Sequence, residues 1–102
     1  MQVGRTVTAT EVFRMSEGHD PQDAIGQVTH YFGHLSVAVV SLKEPLAIGE
    51  RIHIRGHTTD LVQEVGSMEV EHAAVDQAGL GDDVALKVDV HVREHDLIFR
   101  EA

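Results

Sequence analysis

The stretch Ile25–Gly56, IGQVTHYFGHLSVAVVSLKEPLAIGERIHIRG, decides the fold. It reads as three consecutive β-strands joined by two tight connections. Successive side chains of an extended chain point to opposite faces, so alternation marks a strand. In Arg51-Ile52-His53-Ile54-Arg55 the isoleucines fall on one face and Arg51, His53 and Arg55 on the other. Ser36 to Leu42 is apolar on both faces, with Val37 and Val39 opposite Ala38, Val40 and Leu42. That density suits a strand covered on both sides or curled into a barrel. Gly33 and His34 separate the first two strands. Pro45 and Gly49 bracket the second connection, where a missing N–H or a permissive φ is tolerated.

The same signal continues toward the C-terminus. Asp60 to Val65 and Ser67 to His72 read as one long strand or two short ones bent at Gly66, with a helix as the competing reading. Ala73 to Ala78 is expected to form a short turn before the glycine-containing loop Gly79-Leu80-Gly81-Asp82-Asp83. Val84, Leu86, Val88, Val90 and Val92 then alternate with polar or small residues up to Arg93, which predicts one long strand. A polar turn at Glu94-His95-Asp96 leads to a closing strand at Leu97-Ile98-Phe99-Arg100. Six strands of this length and spacing predict an all-β barrel or sandwich.

Residues 1 to 23 differ from the rest. Val3 to Met15 carries a weak extended pattern, and Ser16 to Asp23 is a polar, turn-rich linker. The expected division is an N-terminal extension and linker over 1–23 and a barrel over 24–102. Met15 stands just before the linker, so it is a candidate natural start, with the first fourteen residues as an upstream extension.

The chain has 102 residues, one domain by size, and no cysteine, which excludes disulfides, thiolate nucleophiles and Cys-based metal sites. Seventeen acidic residues against eight basic ones give a net charge of −9, which opposes non-specific attraction to nucleic acid and to anionic membranes. No apolar run reaches the roughly 20 residues that span a bilayer, and a cytoplasmic location is expected.

In their order, Gly26-x-Val28, Leu46-x-Ile48-Gly49-Glu50-Arg51-Ile52, Ser67-Met68-Glu69 and Ala78-Gly79-Leu80-Gly81-Asp82-Asp83-Val84-Ala85-Leu86 resemble the second domain of translational GTPases such as elongation factor Tu. A closer resemblance is to the small C-terminal barrel of the collagenase-like peptidase family and to stand-alone translation-factor-like proteins. It is carried by Val28-Thr29-His30-Tyr31-Phe32, Ser36-Val37-Ala38-Val39-Val40 and Arg55-Gly56-His57-Thr58-Thr59-Asp60. Glu50 and Ala85 depart from the aspartate and glycine usual at their places. The resemblance implies a six-stranded closed Greek-key barrel and a non-catalytic binding role with RNA or the ribosome as partner. The alternative is an adaptor docking on a separately encoded enzyme of the collagenase-like peptidase type. With no G-x-x-x-x-G-K-[ST] loop, GTP binding is not expected, and no cofactor is called for.

Residue by residue, chemistry is thin. His30/His34, His53/His57 and His91/His95 share an i,i+4 spacing that suits ligands on a helix, but in a strand it separates them by about 13 Å. Ser67 lacks the G-x-S-x-G elbow, Ser36 and Ser41 have no base placed beside them, and Glu69 with Glu71 reads as a solvated face. No catalytic and no metal residues are therefore assigned. The most suggestive patch is Arg51, His53, Arg55 and His57 with Thr58 and Asp60, a basic strip in an acidic chain. Arginines grip phosphates well, and the loop supplies further polar groups, so these six residues are the expected RNA or partner contacts. Tyr31 and Phe32 are candidates for stacking on bases.

Overall fold

Residues 20–101 are described in a computed structural model. The extended pattern expected over Val3 to Met15 and the candidate start at Met15 lie outside the described residues. Of the expected linker, Pro21–Asp23 forms one 3-10 turn, capped by Asp20, whose Oδ1 accepts the Gln22 N–H at 3.0 Å.

The opening stretch folds as its alternation predicts. Strands β1 (Gly26–Phe32) and β2 (Val37–Leu42) form a hairpin whose register runs from Gly26↔Leu42 to Phe32↔Val37. A bulge at Thr29 lets the register slip by one residue between Val28 and His30. Gly26 is required by close approach, because a Cβ there would lie 2.8 Å from Val40 Cγ1. After the two-residue β3 (Leu46–Ala47) come β4 (Arg51–Arg55) and β5 (Asp60–Glu64), paired from Arg51↔Glu64 to Arg55↔Asp60. Ile52 and Ile54 are fully buried. They join Val28, Val40, Leu42 and Leu86 in the core, each side chain contributing about 1.5–3 kcal/mol on burial.

The second half departs from expectation in three places. Beyond Gly66 the chain forms β6 (Met68–Val70), then β7 (Ala73–Ala74) and β8 (Gln77–Ala78), so two short strands replace the turn expected over Ala73 to Ala78. Strand β9 (Asp83–Lys87) stops well short of Arg93, although the valines continue to alternate. Its partner β2 ends at Val37, opposite Lys87. Beyond that pair the Val88 N–H reaches Ser36 O and the Asp89 N–H turns to a side chain, so no ladder remains to extend. Val88 and Val92 stay buried, whereas Val90 is 50% exposed. The chain closes with β10 (Leu97–Arg100), between β1 and β4.

The third departure concerns the closed six-stranded barrel. The described residues form one curled, antiparallel sheet of eight strands in the order β5-β4-β10-β1-β2-β9-β6-β7, with β3 and β8 paired separately. Its edges are β5 and β7, so the ladder stays open. Two features draw the halves together. Strands β5 and β6 are consecutive, so the chain leaves β4 at Glu64 and reaches β9 at Met68. On the way Val65 exchanges backbone hydrogen bonds with Gly49 and Glu50. The buried Gln63 amide then spans the seam, donating to Lys87 O and accepting from Asp89 N–H, each at 2.9 Å. A side chain there replaces the strand that a closed barrel would supply.

Candidate functional site

Strand register brings all six expected contact residues to the β4–β5 hairpin, but does not leave them as an open cationic strip. Arg51 is exposed and stands opposite Glu64, while the partly buried Arg55 stands opposite Asp60. The side chain of His53 is only 13% exposed. Its Nε2 is 2.5 Å from Asp60 Oδ1 and its Nδ1 is 3.5 Å from Glu101 Oε1. Both ring nitrogens therefore face carboxylates, and the imidazole links β4, β5 and the chain beyond β10. Thr58 accepts a 2.9 Å hydrogen bond from Arg93 Nε, and His57 is exposed at the hairpin turn.

That turn is seated on a second one. Asp96 is buried, and its Oδ2 accepts the Arg93 N–H at 2.8 Å. A Cβ on Gly56 would lie 1.8 Å from Asp96 Oδ1, so only glycine allows the hairpin to pack this closely. The Asp96 carbonyl in turn accepts from Val28 N–H, and the His95 N–H donates to Val28 O. The stretch Arg55-Gly56-His57-Thr58-Thr59-Asp60 is thus a hairpin tip pinned to the turn before β10.

Alternation did not reveal the neighbouring surface. Tyr31 stacks against His91, with ring centroids 4.6 Å apart, above an open depression also lined by Gly33, Arg93 and Glu94. His30 lies 6.3 Å from the Phe32 ring and places Nδ1 3.7 Å from Glu94 Oε2. Phe32, Leu35 and Val90 are 49%, 62% and 50% exposed. The signal available in the sequence was Phe32-Gly33-His34-Leu35, apolar residues inside a turn, where burial has no structural reason to place them.

Arg100 organises the opposite end. Its Nε and Nη1 reach Glu50 at 3.0 Å and Glu44 at 3.2 Å, and Nη2 donates to the Pro45 carbonyl. The hydrogen bond that Arg100 donates to Glu50 raises the Arg100 pKa above its ordinary value, burial opposes the rise, and the charges of Glu50 and Glu44 add to it. Glu50, a departure from the usual aspartate, supplies one arm of this clamp. Among the described residues no group of three or more His, Cys, Asp or Glu side chains is placed to hold a metal ion, and no helix is long and apolar enough to cross a membrane.

The fold is that of a small all-β domain solved elsewhere as a C-terminal domain. The C-terminal domain of a Geobacillus thermoleovorans U32-type peptidase superposes with a TM-score of 0.76 at 17% identity, covering 82% of this chain and 98% of that one. The selenomethionine variant of that domain gives 0.71 at 18% identity, over 76% and 98%. At the level of sequence, an uncharacterized protease of Methanocaldococcus jannaschii is 40% identical over 76 residues. Those residues are 74% of this chain and 19% of the relative, so the chain spans about a fifth of that protein's length. No family model matches the chain. These similarities speak for the collagenase-like half of the resemblance, and they lend nothing to the elongation-factor half.

Proposed function

We propose that this chain is a non-catalytic docking domain that works beside a catalytic region of the collagenase-like peptidase type. The observation that carries this reading is the 40% identity to one segment of a much longer protease, together with a fold that occurs elsewhere as a peptidase's C-terminal domain. The side chains are consistent with the role. Asp96, Thr58, Arg93 and His53 are engaged in holding turns and strands together.

An RNA- or ribosome-binding role is the competing reading, resting on Arg51, Arg55 and His57. The carboxylates of Glu64 and Asp60 opposite those arginines, and the engagement of His53 and Thr58, weigh against phosphate contact. Isothermal titration of the chain against the collagenase-like peptidase catalytic region of the same organism, supplied as a separate polypeptide, tests the proposal. Saturable binding at equal stoichiometry is expected. Heat changes indistinguishable from dilution would overturn the docking reading.

A further inference from the structure

The acidic excess of the sheet gathers at one end, and the division follows from register. Strands β1 and β4 run the same way on either side of β10, so the β1–β2 turn and the β4–β5 turn lie toward one end. Residues 88–96 belong to the same end, because Val88 bonds to Ser36, His91 stacks on Tyr31 and Asp96 seats Gly56. His30, His34, His57, His91 and His95 therefore gather there with Arg55, Lys87 and Arg93, against Asp60, Asp89 and Glu94 and the buried Asp96. Ser41↔Asp83 and Val70↔Val84 mark the other end, where Glu71, Asp82 and Asp83 collect with the Glu44–Arg100–Glu50 clamp, against Lys43 and His72.

Three large apolar side chains, Phe32, Leu35 and Val90, are about half exposed or more at the histidine-rich end. The backbone presents two of them firmly. Leu35 N–H bonds to Phe32 O and Ser36 N–H to Gly33 O, with Ser36 held at φ 55°, so the tip is a shaped turn rather than a loose loop. An apolar centre on a shaped turn with a polar rim has the composition of a protein-docking patch. In a chain of net charge −9 this end is close to balanced, with Arg55, Lys87 and Arg93 against Asp60, Asp89, Glu94 and Asp96.

We infer that the β1–β2 turn, with Phe32 and Leu35 as anchors and Val90 at the same end, is the face that docks onto the catalytic region, and that the surface it meets carries an apolar recess. This inference rests on the docking role proposed above. Charge around the turn is close to balanced and the anchors hold the complex, so salt changes association little while loss of the anchors shortens its lifetime.

The test uses residues 1–102 and the same catalytic polypeptide, with binding followed by biolayer interferometry at ~50 and ~300 mM salt. The double variant F32S/L35S is expected to bind at least about tenfold more weakly, and L80S, an exposed apolar position at the acidic end, within about twofold of the unaltered chain. Unaltered thermal unfolding of F32S/L35S shows that the loss is one of docking and not of folding. Binding that ignores F32S/L35S and falls with L80S overturns the assignment of this face while the docking role stands. Absence of binding by the unaltered chain overturns both, as does capture of a single-stranded RNA oligonucleotide in place of the catalytic polypeptide.

Discussion

The two ends of the sheet spend their charges differently. At the acidic end Arg100 is drawn inward, its guanidinium divided between Glu44, Glu50 and the Pro45 carbonyl, so a cation there stabilises the domain's own connections. At the histidine-rich end Arg93 props Thr58 and His30 lies near Glu94, while Phe32, Leu35 and Val90 are about half exposed or more. The acidic end exposes Leu80, whereas the other end brings Phe32, Leu35 and Val90 together, and this difference points to the end that meets a partner.

The comparison can be broken by mutation. The largest effect is expected at Gly56, which seats the β4–β5 turn against Asp96: G56A should cost about 2–3 kcal/mol in urea unfolding, because the added Cβ must displace a buried carboxylate. A cost below a few tenths would mean that the two turns are not rigidly joined, and the histidine-rich end would lose its defined shape. Next is the seam between the halves. Replacement of Gln63 by Met keeps the length but leaves Lys87 C=O and Asp89 N–H without that partner, at a cost of about 2 kcal/mol.

A stabilising change is expected at the acidic end. The two-residue turn between β6 and β7 holds Glu71 and His72 at φ 52° and 70°, a geometry that Asn-Gly adopts more readily. Replacing the pair by Asn-Gly should add about 1 kcal/mol, measured as a raised melting temperature. Arg100→Ala should lower stability by about 0.5–1 kcal/mol, less at high salt, since the clamp is well exposed. The smallest effect belongs to F32S/L35S, within about 0.5 kcal/mol of the parent. A larger loss would show that these side chains serve packing, and the contrast between the ends would collapse.

Alternation made most of the sheet legible: Ile52 and Ile54 are buried as read, and Ala38, Val40 and Leu42 form the inner face of β2. It reports which face a side chain takes, not whether a neighbouring strand is present. For that reason Val84 to Arg93 read as one strand, although β2 ends opposite Lys87 and the chain beyond has no ladder to join. The position of His53 was legible and its surroundings were not, because Glu101 arrives from the far end of the sequence. Closure of the sheet escaped for a similar reason. Gln63 meets Lys87 and Asp89 across 24 and 26 residues, and no local pattern announces such a pair.

Amide hydrogen exchange of the chain, alone and with the collagenase-like peptidase catalytic region, tests the central claim most directly. Docking through the histidine-rich end predicts slowed exchange over residues 30–37 and 88–95, with 69–83 unchanged. Protection confined to 69–83, or none anywhere at saturating partner, would contradict it.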